Sequence, residues 1–351
     1  MPKVLITSTR WGHASIAKAI KEVLDTKYQV EMQNVEVEPF SKISYRLIYK
    51  FFPGFFKFVY YFATLAIFRQ LFYWYVEKDY MSRLETLISK FKPDIVINVY
   101  FAFDSSLAKL KTKYHFRLVN VLADPVTFSP ILISKAGENL TFDSPKTGLP
   151  VGWFIEKKYY QIQNRDRNIL RESLGLNPNL FTLTVTSGSE GTFNIFKILS
   201  TFLNPKYKIQ IVILCGNNKD MFSMVNTLKS LAEKIGGPKI VDVAYTESMQ
   251  DYLRAADLVI GKAGPNTLFQ SVATLTPFFA ISHISGQEDG NLDIIRKYKI
   301  GFVEENPQKA TQKLKEIIEN PKALTKFTPN LRSLAKYCQG SEKKLLTLLK
   351  R

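Results

Sequence analysis

The amino-acid sequence alternates short apolar runs with amphipathic helical patterns, and this alternation limits the possible folds more than any other feature. Residues 4–8, Val-Leu-Ile-Thr-Ser, are typical of a buried strand, and a polar loop and a helical pattern follow them. Strands that alternate with helices predict βαβ units and a parallel sheet. In the N-terminal part the predicted strands are 4–8, 28–35, 94–99 and 116–122, and the predicted helices are about 14–24 and 80–91.

Residues 144–150, Ser-Pro-Lys-Thr-Gly-Leu-Pro, interrupt this alternation and are typical of a linker. Beyond them the alternation restarts, which predicts an α/β fold of two doubly wound, Rossmann-like domains that face a central cleft. Ligands are expected at the carboxyl ends of the strands. The predicted strands of the second part are 181–186, 209–214, 240–243, 258–260 and 278–281. The expected divisions are an N-terminal domain (1–147), a C-terminal domain (148–320) and basic terminal helices (321–351).

Composition narrows the classes of partner and compartment. Hydrophobic residues make up 46% and charged residues 23% of the 351 residues, which is typical of a globular protein rather than a disordered one. The net charge of +17 predicts an anionic partner: nucleic acid, acidic lipid or nucleotide phosphate. Two cysteines cannot form a disulfide framework, and no secretory signal precedes the first apolar run, so we expect a reducing compartment and no secretion.

Aromatic residues are concentrated in one segment, which we call the aromatic block, from Phe40 to Tyr80. It holds seventeen aromatic, six basic and two acidic residues. Its longest charge-free run, 58–68, has eleven residues, whereas a spanning helix needs about 20. The pattern favours an interfacial or re-entrant helix pair, and the alternative is that many of these aromatics fill the domain core. The expected membrane contacts are Phe51, Phe52, Phe55, Phe56, Lys57 and Trp74.

The loop after the first predicted strand, residues 8–13, has the sequence Ser-Thr-Arg-Trp-Gly-His and opens a helix. A helix N-terminus presents unpaired backbone N–H groups, which suit phosphate or a developing negative charge. His13 lies there and is a candidate general base near neutral pH. The alternative is a capped turn in which the His13 ring packs on the helix.

Two further regions have the composition of ligand-binding loops. Residues 187–191, Ser-Gly-Ser-Glu-Gly, let a backbone approach an anion closely. Residues 261–270 offer N–H groups at a helix start, and residues 285–291 concentrate Gln, Glu, Asp and Asn, which suit sugar hydroxyls. The alternative for this last pair is a hydrophilic surface loop.

These residues resemble the family 28 glycosyltransferases of the two-Rossmann-domain (GT-B) type, especially monogalactosyldiacylglycerol synthases and bacterial processive diacylglycerol glycosyltransferases. The resemblance runs from Gly12 to about residue 320, and its most specific part is the Gly-Gln-Glu-Asp-Gly-Asn motif at 286–291. The other matching motifs are Gly-His at 12–13, Lys-Pro-Asp at 92–94, Ala-Asp-Pro at 123–125 and Cys-Gly-Asn-Asn at 215–218.

The resemblance implies a peripheral enzyme at the cytoplasmic face of the membrane. It implies inverting transfer of a hexose from a UDP-sugar, UDP-glucose or UDP-galactose, to a lipid, with diacylglycerol expected. The N-terminal domain would bind acceptor and membrane, and the C-terminal domain would bind the nucleotide sugar. Neither a cofactor nor a metal is expected, since the sequence has no Asp-x-Asp motif. No nucleic-acid partner is expected, because the aromatics lie in an apolar run rather than interleaved on a β-surface.

The implied site residues follow from the motifs. His13 is the first candidate for the catalytic base and Asp124 the second. Gln270 stands where the family has the Glu that pairs with the ribose, and an amide offers one acceptor and one donor there instead of two acceptors. The implied donor-binding residues are Ser187, Gly188, Ser189, Thr246, Lys262, Gly264, Pro265, Asn266, Thr267, Gln270, Gln287, Glu288 and Asn291.

Two other functions remain open at the level of sequence. One is a soluble nucleotide-sugar enzyme of the same fold, such as an epimerase. The other is a non-catalytic nucleotide-sugar-binding subunit, which Gln270 and the bulky Thr9-Arg10-Trp11 turn favour. Release of UDP in the presence of a lipid acceptor separates the transferase from both alternatives.

Overall fold

The computed structural model describes residues 1–10, 12–36, 66–125, 136–186 and 193–350. Within these ranges the chain forms two six-stranded sheets. The strands are β1 Lys3–Ser8, β2 Gln29–Asn34, β3 Ile95–Asn98, β4 Arg117–Val121, β5 Glu138–Thr141, β6 Leu149–Pro150, β7 Phe181–Thr186, β8 Ile209–Gly216, β9 Lys239–Ala244, β10 Leu258–Lys262, β11 Phe278–Ser282 and β12 Gly301–Val303.

Helices cover the connections between the strands. They are α1 Gly12–Leu24, α2 Ala66–Phe91, α3 Asp104–Tyr114, α4 Lys157–Gln161, α5 Arg167–Ser173, α6 Phe193–Thr201, α7 Lys219–Lys234, α8 Met249–Ala255, α9 Pro265–Ala273, α10 Asp289–Tyr298, α11 Pro307–Glu319, α12 Thr328–Gln339 and α13 Ser341–Leu349. Short 3-10 helices lie at Phe101–Phe103, Ile162–Asn164 and Pro321–Phe327.

The two sheets have the order β2-β1-β3-β4-β5-β6 and β12-β11-β10-β7-β8-β9, and every pair of neighbouring strands is parallel. In each sheet the chain starts at an inner strand and winds outward in both directions, so that a switch point lies beside β1 and beside β7. The predicted α/β fold with two doubly wound parallel sheets is confirmed.

The central strands are apolar because helices cover both of their faces. In β1, Val4, Leu5 and Ile6 are fully buried, and Leu5 belongs to a core with Leu84 of α2 and Leu107 of α3. A strand that is buried on both faces reads as a continuous apolar run, which explains why β1 was recognisable in the sequence.

The chain groups into two compact units. Unit 1 comprises Met1–Glu156, Ile284–Gly290 and Tyr337–Arg351, and unit 2 comprises Lys157–His283 and Asn291–Lys336. The domain bounds expected from the sequence are 1–147, 148–320 and 321–351. They rest on the proline and glycine residues of segment 144–150 and on the basic C-terminal segment, and they stay a prediction.

The predicted linker at 144–150 is wrong at its C-terminal end, because Leu149–Pro150 forms β6 at the edge of the first sheet. There Leu149 pairs with Leu140 and Pro150 pairs with Thr141. Proline lacks a backbone N–H and is tolerated on an edge strand, so its presence did not exclude a strand.

The last residues of the chain, Tyr337–Arg351, group with unit 1, and α12 and α13 lie within the segment 321–351 where terminal helices are predicted. The Tyr337 hydroxyl donates to the carbonyl of Phe142 at 2.7 Å, and the Lys344 ammonium donates to the carbonyl of Pro150 at 3.0 Å. Gly152 has a φ of +97°, and a side chain there would crowd the backbone of Tyr337 and Cys338. Tight backbone packing therefore fastens these helices to the first sheet.

Among the described helices, none combines the length and the apolar character that a membrane span requires.

Candidate functional site

Three neighbouring strands of the first sheet end beside one another and position the predicted catalytic residues. The strands β1, β3 and β4 pair in parallel, so their carboxyl ends lie at the same edge. His13 follows β1 in the first turn of α1, Tyr100 follows β3, and Asp124 follows β4. The topology therefore brings His13 and Asp124 to one edge, as the motifs implied.

His13 is bonded to the loop after β3. Its Nδ1 atom lies 3.0 Å from the carbonyl oxygen of Val99. A carbonyl oxygen only accepts hydrogen bonds, so Nδ1 carries the proton and the lone pair of a neutral ring lies on Nε2. The ring also meets Tyr100 edge-on, with centroids 5.0 Å apart. The alternative in which His13 serves only to pack on its own helix does not account for this long-range bond.

Burial sets the protonation of His13. It lowers the pKa of the ring to about 4, against a smaller opposing effect of the hydrogen bond to Val99. The imidazole is therefore neutral at pH 7, and Nε2 is able to accept a proton. This is the protonation state that a general base requires.

Asp124 has the opposite shift. Burial and, to a smaller extent, the negative charge of Glu288 raise the pKa of its carboxyl group to about 6, against the lowering effect of a hydrogen bond with the Gln287 side chain. The structure thus brings a predicted catalytic residue together with two predicted sugar-binding residues. A carboxylate with this pKa is a stronger base than an ordinary aspartate.

Tyr100 links the two candidate bases. It contacts the His13 ring, and burial, the Tyr80 side chain and the charge of Asp124 all raise the pKa of its hydroxyl well above the usual range. Tyr100 is therefore neutral at physiological pH. Sequence reasoning missed this residue, and the one available signal was its position directly after an apolar strand.

The loop that carries Gln287 is held by its own carboxylates. Glu288 is buried, and its Oε2 atom accepts from the backbone N–H of Ile284 at 2.7 Å. Asp289 accepts from the backbone N–H of Gly286 at 2.7 Å, where φ is +87°. Glu288 thus shapes the loop and adds negative charge beside Asp124, and its implied contact with the sugar stays a prediction.

In unit 2, the loop between β10 and α9 presents a helix N-terminus. Gly264 is the N-cap of α9 and Pro265 occupies its first turn, where a missing N–H costs no hydrogen bond. The N–H of Leu268 already bonds within the helix to the Gly264 carbonyl at 3.0 Å. The first N–H groups that face outward therefore belong to Asn266 and Thr267. Lys262 ends β10 at the same edge.

Asn291 fixes the shape of this loop. Its side chain is buried and donates to the carbonyl of Ala263 at 2.7 Å. Gly261, two residues before Ala263, lies so close to the carbonyl oxygen of Thr186 that a Cβ atom on residue 261 would overlap it. The structure therefore places Asn291 in a supporting position, and its implied contact with the donor stays a prediction.

The remaining implied donor residues lie on other elements. The Thr246 hydroxyl accepts from the backbone N–H of Ser248 at 3.0 Å and closes the turn before α8. Gln270 lies in the second turn of α9 and is 9% exposed. Three implied residues, Ser187, Gly188 and Ser189, lie outside the described residues.

Trp74 is the one expected membrane contact within the described ranges. Its side chain on α2 is 65% exposed, and the Lys78 ammonium lies 5.9 Å from the centre of its ring. The other expected contacts, Phe51, Phe52, Phe55, Phe56 and Lys57, lie outside the described residues.

The described part of the chain contains no group of three or more His, Cys, Asp or Glu side chains that is arranged to hold a metal ion. The expectation that no metal takes part stays a prediction.

Two family models match separate parts of the chain, and each match includes strands of one sheet. Residues 13–135 match monogalactosyldiacylglycerol (MGDG) synthase, and residues 182–292 match the glycosyltransferase family 28 C-terminal domain. The chain is a glycosyltransferase with a family 28 C-terminal domain. His13, Tyr100 and Asp124 of this glycosyltransferase lie in the first match, and the loops over 261–291 lie in the second.

The relatives of the glycosyltransferase have low sequence identity to it but align over most of its length. It is 23% identical over 312 residues to a processive diacylglycerol beta-glucosyltransferase of Bacillus licheniformis, which covers 80% of this chain and 77% of the relative. It is 24% identical over 342 residues to a probable chloroplastic MGDG synthase of Nicotiana tabacum, which covers 87% of this chain and 62% of the relative. The chain therefore spans less than two thirds of the plant protein.

The fold of the glycosyltransferase is shared with solved GT-B structures. The Anabaena protein HepE, solved in complex with UDP-glucose, matches with a TM-score of 0.58 and 11% identity over 99% of this chain and 100% of HepE. At this identity the likeness shows the fold alone.

Proposed function

We propose that this glycosyltransferase moves a hexose from UDP-glucose or UDP-galactose to diacylglycerol, with inversion at the anomeric carbon. The observation that carries the proposal is the state of His13, a neutral ring whose Nδ1 is held by Val99 and whose Nε2 is able to accept a proton. The names of the relatives supply the lipid, since one is a diacylglycerol glucosyltransferase. The UDP-glucose bound to HepE supports the donor class.

The reaction needs one base and one stabilised leaving group. The acceptor hydroxyl oxygen attacks the anomeric carbon while the bond from that carbon to the diphosphate oxygen breaks, and the electron pair leaves with UDP. The hydroxyl proton passes to Nε2 of His13. Attack on the face opposite the leaving group inverts the anomeric configuration.

The two candidate bases, His13 and Asp124, rank in opposite order by geometry and by pKa. The pKa of about 6 makes Asp124 the stronger base in the free protein, whereas His13 has the oriented lone pair. A base must first have the geometry for proton transfer, and its acidity ranks second. We therefore assign proton removal to His13 and orientation of the acceptor hydroxyl to Asp124.

We assign stabilisation of the leaving group to the loop between β10 and α9. The N–H groups of Asn266 and Thr267 face outward at the positive end of the α9 dipole, and Lys262 adds a full charge at the same sheet edge. Thr246 and Gln270 are assigned to the nucleoside, and Gln287 and Glu288 to the hexose. Fixed donors of this kind neutralise a departing diphosphate without a metal ion.

The acceptor lipid requires a membrane contact, and the aromatic block supplies its chemistry. An exposed Trp74 beside Lys78 combines an amphipathic ring with a positive charge. Basic residues near the surface gain about 1 kcal/mol each from anionic headgroups. We assign the glycosyltransferase to the cytoplasmic face of the membrane as a peripheral protein.

The test is a matrix of donors and acceptors with purified protein on vesicles that contain anionic phospholipid. UDP-glucose, UDP-galactose and UDP-N-acetylglucosamine are each paired with diacylglycerol, ceramide or vesicles alone, and the lipids are read by mass spectrometry together with released UDP. Hexosyl-diacylglycerol formed in equal amount to UDP supports the proposal. A new UDP-sugar without any lipid product establishes the epimerase alternative, and binding without any product establishes the non-catalytic one.

A further inference from the structure

A row of buried polar side chains crosses the first sheet one layer below the candidate bases. Thr7 of β1, Asn98 of β3, Asn120 of β4 and Asn139 of β5 are partners in strand register. Asn98 and Asn120 are each 2% exposed, and Asp104, which begins α3, is 1% exposed. Burying an amide side chain costs free energy unless its polar atoms have hydrogen-bond partners.

The hydrogen bonds along the row run in one direction. The Thr7 hydroxyl donates to Oδ1 of Asn98 at 3.4 Å, and Nδ2 of Asn98 donates to Oδ1 of Asn120 at 3.0 Å. Nδ2 of Asn120 donates to Oδ1 of Asp104 at 2.6 Å and to Oδ1 of Asn139 at 3.1 Å. The chain of donors therefore ends on a carboxylate, which only accepts.

The carboxylate decides which way each amide faces. A carboxylate accepts only, so the side-chain amide of Asn120 points its NH2 group at Asp104 and its oxygen at Asn98. Asn98 therefore donates its own NH2 group to that oxygen. This leaves Oδ1 of Asn98 to accept from the backbone N–H of Tyr100 at 3.1 Å. A reversed Asn98 would set its NH2 group against that N–H and lose the bond.

The bond to Tyr100 fixes the turn that holds His13. Between Asn98 and Tyr100 lies Val99, whose carbonyl accepts from Nδ1 of His13, and the Tyr100 ring packs against the same imidazole. A displacement of about 1 Å at a reacting group is able to cost 10²-fold in rate. The orientation of the row is thus connected to the orientation of His13 through two covalently adjacent residues.

We propose that Asp104 is a positioning residue, which acts through Asn120 and Asn98 to fix the Val99–Tyr100 turn and with it the tautomer of His13. As a catalytic statement this rests on the proposed function of His13. As a structural statement it is independent of that function.

The first variant is Asp104→Asn, which keeps the volume but removes the group that sets the direction. Nitrogen NMR of histidine-labelled protein reads the tautomer directly, and His13→Asn assigns the signal among the three histidines. We expect the native protein to show one tautomer at pH 7 and Asp104→Asn to show both. We also expect kcat to fall roughly tenfold and UDP affinity to change less than twofold.

The second variant, Asp104→Asn with Asn120→Asp, moves the carboxylate one step along the row. The carboxylate at position 120 accepts from Asn98 and from the amide at 104, so Asn98 regains its direction. We expect this double variant to recover the single tautomer and most of kcat. A residue that only stabilised the fold would show no such rescue, because the second substitution adds a further change to the core.

Asn139→Ala is the matched control, since it removes a bond of Asn120 on the side away from Asn98. It should leave the tautomer and kcat unchanged. Asn98→Ala tests the last link and should release the tautomer even if Asp104→Asn fails to fold. A single tautomer in Asp104→Asn, or in Asn98→Ala, would overturn the proposal. If the tautomer responds but the native protein makes no glycolipid, the positioning stands and the proposed function fails.

Discussion

Nδ1 of His13 donates to the carbonyl oxygen of Val99 across 3.0 Å, although 86 residues separate the two in the sequence. The bond joins the first turn of α1 to the end of β3 and leaves Nε2 as the basic atom. The backbone carbonyl of Val99, directly after β3, thus determines which nitrogen of His13 is able to accept a proton.

Replacement of His13 tests this assignment. His13→Asn keeps a donor near the position of Nδ1 but removes Nε2, so kcat should fall by roughly 10²-fold or more. UDP affinity, measured by calorimetry, should stay within about twofold, because the implied nucleotide contacts lie on other loops. An unchanged kcat would transfer the role of base to Asp124 or water.

The acidity of Asp124 should respond in opposite directions to its two neighbours. Its pKa of about 6 means that the carboxylate takes up a proton as the pH falls through 6, so activity that needs the carboxylate declines there. Glu288→Gln removes a negative charge and should move this decline to lower pH. Gln287→Leu removes the hydrogen bond and should move it to higher pH.

The measurement is kcat/KM against pH for the native protein and both variants, with Asp124→Asn as the control that lacks the group. Asp124→Asn should lose the decline near pH 6, and only the decline from protonation of His13 at lower pH should remain. Identical limbs in all four proteins would show that Asp124 does not need to be ionised for transfer.

Gln270 should contribute to nucleotide affinity. If it bonds the ribose, Gln270→Ala should weaken UDP binding by about 1–2 kcal/mol, since it leaves ribose hydroxyls without a partner. Gln270→Glu should bind UDP at least as tightly as the native protein, because a carboxylate accepts from both hydroxyls. Calorimetric titrations that show no change in either variant would contradict the assignment.

The aromatic block should anchor the protein to anionic membranes. Phe52, Phe55 and Phe56 replaced together by Ser should release the protein from phosphatidylglycerol vesicles, because each buried Phe is worth roughly 1.5–3 kcal/mol. Trp74→Ala should weaken binding in the same cosedimentation assay. Tyr245→Ala is the matched control, since Tyr245 is 66% exposed on unit 2 and Trp74 is 65% exposed.

Circular dichroism separates the two interpretations of the block. A triple variant that stays folded but leaves the vesicles supports membrane contact. A triple variant that unfolds, or a native protein that ignores vesicles at every salt concentration, supports the alternative in which these rings fill the core.

Sequence analysis located the strands that are buried on both faces, and it also located β2 and β9, which are partly exposed. The runs that form β1, β3 and β11 are nearly unbroken apolar segments, which is the signature of a central parallel strand. The strands β5, β6 and β12 were missed because they are two to four residues long and contain polar residues, proline or glycine. Such strands form only because a neighbour offers backbone partners.

The site residues that belong to a sequence motif were predictable. The residues that join the site only through long-range contacts were not. His13 and Asp124 stand in loops that a family resemblance marks, and the topology placed both at one sheet edge. Tyr100 and the row from Thr7 to Asp104 have no local signature, since their partners lie 16 to 91 residues away along the chain. The start of α2 at Ala66, rather than near Tyr80, was missed because the aromatic composition obscures helical periodicity.

The most direct test of the account is the anomeric configuration of the lipid product. UDP-α-glucose and diacylglycerol on anionic vesicles are incubated with native protein and with His13→Asn, and the isolated glycolipid is examined by proton NMR. The account predicts a β-linked glucosyl-diacylglycerol from the native protein, at a rate that falls roughly 10²-fold in the variant. An α-linked product, or consumption of UDP-glucose without any glycolipid, would contradict it.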